Sequence, residues 1–228
     1  MTRHPDPAPS MPVDVIRVSV RELRLMTGRV LLTTAVPFGS VAATRDVVVA
    51  AETHGLSGLA GLLDALPALR ARHLRPTLRG DTAAVLPDPR EQPPLATAAD
   101  LLDLAVAAAR RHGEATLPAP GQDWSVQALR SLARRLGVTL TCTPDTVTAR
   151  RLPDAEAGAD GPDAADLRAL TYGLPVPLAL WRRIVAEAET ALTPDSPLSR
   201  THAGDSLYGP GGEILAEAGE DEPMEVPA

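Results

Sequence analysis

Residues 50–63, with the sequence AAETHGLSGLAGLL, constrain the fold more strongly than any other stretch of the chain. A helix rich in small residues meets a second apolar helix there, and Thr53-His54-Gly55 lies at the break between them. Only 2% of the residues are aromatic, so alanine, leucine and valine must fill the core. Because small side chains let helices pack closely, we expect a tight helical layer with little room for a large internal cavity.

The composition excludes several classes of function. All 22 basic residues are arginine, so mechanisms that need a lysine nucleophile or a lysine Schiff base are excluded. The net charge is −7 and the arginines are spread along the chain, whereas nucleic-acid binding needs a concentrated basic surface. The single cysteine, Cys142, rules out an internal disulfide and a thiolate-rich metal site. In its β-branched surroundings, we interpret Cys142 as a small buried hydrophobic residue.

The cellular location is predicted from two features of the sequence. No apolar run approaches the roughly 20 residues that a membrane-spanning helix needs. The first 12 residues carry four prolines and lack the apolar core of a secretory signal, so we expect them to be disordered. These features predict a cytoplasmic protein.

Helical periodicity accounts for most of the chain. Ser19 and Glu22 fit a capping box, in which each side chain bonds the other residue's backbone N–H, so the first helix is expected to start there. Pro67 is expected to kink or stop the third helix. Periodic apolar positions and the intervening glycine and proline breaks predict helices at 19–34, 41–53, 56–72, 98–111, 125–136 and 178–192.

The strands are expected mainly in the second half of the chain. Two β-branched runs, 138–143 and 146–151, flank a proline–aspartate turn and predict a β-hairpin. A further strand is expected at 82–86, and the run 13–18 is compatible with an edge strand. We therefore predict an α+β fold, with a helical N-terminal layer packed on a small mixed β-sheet.

The sequence from Val18 to Leu69 resembles the N-terminal helical segment of the type-2 malate/L-lactate dehydrogenase family. The shared pattern is a capped first helix, a turn of the alanine-valine-proline kind, a second helix, and a Ser-His-Gly triplet before a third helix. This chain has Thr53-His54-Gly55 at the place of the triplet. The expected strand at 82–86 and the helix at 98–111 also fall where that family has them. Family members are longer and continue into a nicotinamide-binding domain that this sequence does not include.

The sequence WRRIVAEAETALTPDSPLSRTHAG, which begins at Trp181, resembles the end of a bacterial domain-of-unknown-function family. The shared features are a Trp-led helix, a Thr-x-x-Pro-x-Ser segment, the pair Ser199-Arg200, and an Ala-Gly turn. That family also has a His-Gly-Leu-like segment after two helices. The whole chain is therefore identified as a member of this family, which resembles the dehydrogenases distantly. The chain departs from the family in the residues after the Ala-Gly turn, where a Gly-rich turn is usual.

The predicted organisation has four segments. Residues 1–12 are expected to be disordered, and residues 13–112 to form the dehydrogenase-like segment. Residues 113–210 are expected to complete the same fold, with a flexible acidic break at 153–165. Residues 211–228 are expected to form a solvated tail, because from residue 213 onward this segment holds six acidic residues and no basic ones.

Four residues are candidates for a functional site. The resemblance implies that His54 is a general acid or base at the substrate carbonyl, which suits the near-neutral pKa of imidazole. The structural alternative is that His54 caps helix carbonyls beside Gly55. Ser199, Arg200 and His202 are expected to bind a substrate carboxylate, because arginine bonds carboxylates in bidentate fashion. The alternative is that Arg200 ties a C-terminal segment to the body of the protein.

Three functions remain open at this point. The first is a small-molecule enzyme of the lyase, isomerase or cyclase type, in which His54 transfers a proton on a carboxylate-bearing substrate. The second is a non-catalytic partner subunit of a dehydrogenase-like enzyme, and the third is a shortened NAD(P)-dependent reductase. We expect no metal and, unless a nicotinamide still binds, no cofactor. A homodimer or a hetero-complex with a dehydrogenase-like subunit is expected, and no nucleic acid or membrane partner.

Overall fold

The computed structural model describes residues 12–71, 93–118, 124–153 and 163–192, and the backbone of two short strands at 206–208 and 214–217. The chain divides into two compact units, one ending at Ala191 and the other beginning at Leu192. The first unit holds every helix in the described part of the chain and five of its strands. In the described part of the second unit there is one pair of antiparallel strands.

The order of elements alternates runs of helices with short strands. In the first unit it is β1 (Val15–Val18), α1 (Val20–Leu32), α2 (Phe38–Thr53), α3 (Gly58–Ala71), α4 (Pro94–His112), β2 (Glu114–Pro118), α5 (Trp124–Arg135), β3 (Val138–Cys142), β4 (Thr146–Arg151), α6 (Ala164–Tyr172), β5 (Leu174–Pro177) and α7 (Leu178–Glu189). In the second unit it is β6 (Ser206–Tyr208) and β7 (Ile214–Glu217). The combination of helices with small separate sheets confirms the predicted α+β class.

The predicted capping box starts α1. The Ser19 hydroxyl accepts a hydrogen bond from the Glu22 backbone N–H at 3.1 Å, and the Glu22 carboxylate accepts one from the Ser19 N–H at 3.0 Å. Both bonds satisfy N–H groups that a helix start otherwise leaves without partners. Leu23, Val30 and Leu31 then follow on one face of α1 and are fully buried.

Helix α2 is the centre of the helical layer. It packs against α1, α3, α4, α5 and α6, and its buried residues include a continuous run from Val47 to Ala51. A helix surrounded in this way has no wide polar face, which is typical of a central rather than a peripheral element. The position of α2 therefore fixes the positions of the helices around it.

Two glycines allow neighbouring elements to approach α2 and α3 closely. A Cβ added at Gly58 would collide with the backbone carbonyl oxygen of Val48 on α2 and would lie 2.9 Å from the Ala51 Cβ. A Cβ added at Gly61 would collide with the indole ring of Trp124, the first residue of α5. Gly58 and Gly61 therefore serve packing between helices.

The larger sheet has the order β2-β4-β3, and both of its strand pairs are antiparallel. Helices α4 and α5 pack on it and bury alternate residues, among them Val147 and Ala149 of β4. The smaller sheet pairs β1 with β5, also antiparallel. The predicted mixed sheet is therefore wrong for the strands that the structure describes, because every pair among them is antiparallel.

Some elements differ from the sequence-based predictions. The hairpin of β3 and β4 is confirmed, but β2, β5 and α6 were not predicted. Pro67 does not end α3, which continues to Ala71. Within the segment predicted as a solvated tail, Ile214–Glu217 forms β7 and pairs with β6. The predicted strand at 82–86 and the predicted disorder at 1–11 lie outside the described residues.

We expect Gly58→Ala to lower the free energy of unfolding by about 1–3 kcal/mol, the usual cost of overpacking. The reason is that the backbone of α2 cannot move aside as a flexible side chain would. Chemical denaturation measures the change. Gly39→Ala is the matched control, because no atom lies within 4 Å of a Cβ added there, and this variant should be at least as stable as the parent. Equal stability of the two variants would contradict the close contact between α2 and α3.

Candidate functional site

A surface cleft of about 420 Å³ opens between α1, α2, α5 and α6. Its base is formed by apolar and small side chains of these helices, including Val49 and Ala50 of α2. Four charged residues border it: Arg24, Asp46, Arg135 and Asp166. An apolar cleft with a few charged groups at its edge is the usual form of a small-molecule site.

Two groups of ion pairs border the cleft. On one side the Arg135 guanidinium contacts the Asp166 carboxylate, with 2.5 Å between Nη2 and Oδ2. The Asp166 side chain is only 9% exposed, whereas that of Arg135 is almost half exposed. On the other side Asp46 contacts Arg45 at 2.9 Å and Arg24 at 3.6 Å. Each carboxylate thus has an arginine partner, and the two arginines that line the cleft remain open to solvent.

His54 ends α2 and lies beside this cleft without lining it. Its backbone N–H donates to the Ala50 carbonyl, and its ring Nε2 lies 3.5 Å from Oδ2 of Asp163. The two atoms are close enough for an ion pair, but they do not form a hydrogen bond, and Nε2 has no hydrogen-bond partner among the described residues. Nε2 is itself buried, although the side chain is 24% exposed.

Asp163 is positioned by the start of α6. Its Oδ1 accepts a hydrogen bond from the Asp166 backbone N–H at 2.8 Å, so Asp163 is the N-cap of that helix. The other oxygen, Oδ2, is left to face His54. One cap therefore places Asp163 against the end of α2 and Asp166, one turn further along α6, against Arg135 on α5.

The same three side chains form a compact polar cluster. One ring nitrogen of His54 and one carboxylate oxygen each of Asp163 and Asp166 lie within 4.8 Å of one another. An imidazole with two carboxylates is a common ligand set for divalent metals. Here, however, Arg135 already compensates the charge of Asp166, and the helix cap engages Asp163. We therefore interpret the cluster as a charge network and not as a metal centre.

The predicted site residues have different outcomes. The structure places His54 next to the carboxylate of Asp163, and the neighbouring carboxylate of Asp166 contacts an arginine, Arg135. Ser199, Arg200 and His202 lie outside the described residues, so their predicted part in carboxylate binding stays a prediction. None of the charged residues now found beside His54 was predicted. The spacing Asp-x-x-Asp at 163–166 was the available signal, because it is typical of a helix N-terminus.

Glu52 holds the turn that carries His54. Its carboxylate accepts a hydrogen bond from the Leu59 backbone N–H at 2.9 Å, and so caps the start of α3 from the end of α2. Burial raises the pKa of Glu52 above its ordinary value, and hydrogen bonds from the Leu59 and Gly58 N–H groups partly oppose this. The turn between α2 and α3 is thus fixed on both sides of His54.

Comparison with known proteins finds no family model, no curated protein and no solved structure that matches the chain. The two resemblances described above therefore stay predictions, and the argument for function depends on the geometry of the site. In the ranges that the structure describes, no helix combines the length and the apolar character needed to cross a membrane.

We expect Glu52→Gln to flatten the dependence of stability on pH. Because the folded-state pKa of Glu52 is raised, the folded protein holds a proton that the unfolded chain releases, so the free energy of unfolding should fall as pH rises from 4.5 through the folded-state pKa. Glutamine keeps an oxygen for the Leu59 N–H but does not titrate. Denaturation curves across this window measure the effect, with Glu189→Gln on the exposed end of α7 as control. If the free energy of unfolding depended on pH in the same way in Glu52→Gln and in the parent, the raised pKa of Glu52 would be contradicted.

Proposed function

We propose that the protein is an enzyme that binds a small carboxylate-bearing molecule in the cleft and uses His54 for proton transfer. The observation that carries this proposal is the position of His54, whose buried Nε2 lies 3.5 Å from the Asp163 carboxylate while 24% of the side chain is exposed. Proton exchange near neutral pH needs an imidazole that is oriented on one side and accessible on the other. A reaction of the lyase, isomerase or cyclase type fits this arrangement.

Asp163 would act through His54. A carboxylate beside one ring nitrogen orients the ring and favours the tautomer that carries its proton on that nitrogen. Asp163 is itself held by its helix cap, so its orientation does not depend on His54. We therefore assign His54 as the proton-transfer residue and Asp163 as its positioning residue.

Arg135 and Arg24 would hold the substrate carboxylate. Arginine has five N–H donors, and the contact of Arg135 with Asp166 leaves donors free on the solvent side. Arg24 lies 3.6 Å from Asp46, which is too long for a strong hydrogen bond and leaves its guanidinium open to the cleft. A carboxylate pairs well with such groups in bidentate fashion. Arg200, with Ser199 and His202, stays a further candidate for the same task.

The proposed reaction class follows from the residues and not from a cofactor. Many lyases, isomerases and cyclases that act on carboxylates share a step in which a base removes a proton from a carbon one or two bonds from the carboxyl carbon. Holding the carboxylate while His54 faces that carbon converts this step into an intramolecular one. A cytoplasmic location also stays part of the proposal, supported by the sequence features given above.

Deuterium exchange tests proton transfer without knowledge of the product. We expect the protein, incubated in D₂O with pyruvate, malate or lactate, to speed the loss of the ¹H NMR signal of a carbon-bound proton of at least one of them. His54→Asn should lower that rate at least about a hundredfold, the usual contribution of a general acid or base. Asparagine keeps a hydrogen bond but does not exchange a proton near neutral pH.

His112→Asn is the matched control, because His112 is exposed at the end of α4 and away from the cleft, and it should leave the exchange rate unchanged. Melting temperatures of both variants show whether either has lost its fold. Exchange that is equally fast in His54→Asn and in the parent would refute the role of His54. No catalysed exchange with any of the three acids would refute the proposed substrate class.

A further inference from the structure

A second surface feature, a groove between α1 and α2, exposes large apolar side chains. Phe38 is 83% exposed, Leu32 51% and Leu25 49%, and all three line a groove of about 390 Å³. Phe38 is the only phenylalanine in the chain. Large exposed apolar side chains that cluster in a groove, in contrast to scattered ones, mark sites of interaction with other molecules.

The groove is flanked by arginines. Arg24, Arg29 and Arg45 all line it. Among the residues that the structure describes, Asp46 is the one carboxylate that pairs with them, through its contacts with Arg24 and Arg45. The Arg29 side chain, in the last turn of α1, makes no hydrogen bond or ion pair with any residue in the described ranges. The groove therefore combines an apolar floor with a net positive edge, although the chain as a whole carries a charge of −7.

We propose that this groove docks an acidic amphipathic helix of a different protein. A groove between two helices receives a third helix through apolar side chains three and four residues apart, and here Phe38, Leu32 and Leu25 would contact them. Acidic residues beside that apolar stripe would pair with Arg29 and its neighbours, which gives the interaction its specificity. Arg24 borders both the cleft and this groove, but the inference does not require the proposed reaction at His54, because Phe38, Leu32, Leu25 and Arg29 border only the groove.

The positive edge distinguishes this occupant from two others. A two-fold contact between copies of this chain would bring Arg29 and its neighbours close to their own copies, and like charges at an interface are unfavourable. The acidic segment at the end of this chain has the right charge, but residues 218–228, AGEDEPMEVPA, hold two prolines and only two larger apolar side chains, Met224 and Val226. Such a sequence is a poor helix former and offers little apolar surface.

A synthetic peptide tests the proposal on the full chain. The probe is a fluorescent helix of about 18 residues, roughly five turns, with leucines at helical spacing and glutamates on both flanks. We expect it to bind, and a peptide with lysines in place of the glutamates to bind at least about tenfold more weakly. Arg29→Glu and Phe38→Ser should each weaken binding of the glutamate peptide at least about tenfold, measured by fluorescence anisotropy.

Two matched controls keep the result specific. Arg21→Glu makes the same charge reversal on an exposed position of α1 outside the groove. Leu167→Ser removes from α6 a leucine that is as exposed as Leu25 and Leu32. Neither should change peptide binding. Absence of binding by the parent, or binding that survives both groove variants, would overturn the proposal.

The same variants identify the other occupants. If light scattering shows a dimer that Phe38→Ser converts to a monomer, a second copy of the chain occupies the groove, and the proposal is wrong. If deletion of residues 218–228 is needed before the peptide binds, the chain's own acidic end occupies the groove, and the proposal is equally wrong. An oligomeric state that Phe38→Ser leaves unchanged excludes a second copy as the occupant. A peptide affinity that the deletion leaves unchanged excludes the chain's own acidic end.

Discussion

The close contact between α3 and α2 at Gly58 is the constraint on which the rest of the first unit depends. Glycine at this position brings the start of α3 against the α2 backbone, and Gly61, one turn further along, receives the ring of Trp124 at the start of α5. Because α5 begins there and runs alongside α2, its last residue, Arg135, reaches the end of α2 that carries His54. A core poor in aromatic residues is thus stabilised by close approach of backbones, and the same approach assembles the cleft.

Helix α6 completes the cleft mainly through polar contacts. It buries few residues and exposes Leu167 and Leu170, yet its first turn places Asp163 against His54 and Asp166 against Arg135. An ion pair with one deeply buried partner costs desolvation energy, so it adds little net stability but fixes geometry. We infer that the polar contacts of α6 fix its position and contribute little to the stability of the fold. A helix that forms one wall of a binding site needs such a fixed position.

The sequence predicts the helical layer and the hairpin well, because their signals are local. The capping box at Ser19 and the β-branched runs around a proline–aspartate turn are each determined by residues that lie close together in the sequence. Helix α6 was missed because its acidic, glycine- and proline-rich approach is also typical of a flexible segment. The site was predicted only at His54. Its partners follow more than 80 residues later, since Arg135 and Asp163 meet it through tertiary packing that no spacing in one sequence shows.

The central claim is that Arg135, which borders the cleft, and His54 and Asp163, which lie beside it, form one binding site. Its most direct test is an NMR titration of the full chain with pyruvate and malate. Ring signals of His54 should shift on binding together with the side-chain N–H signals of Arg135, and the shifts should be lost in Arg135→Gln while the dispersed spectrum of the folded protein remains. Shifts confined to other parts of the chain, with His54 and Arg135 unchanged at saturation, would contradict the account.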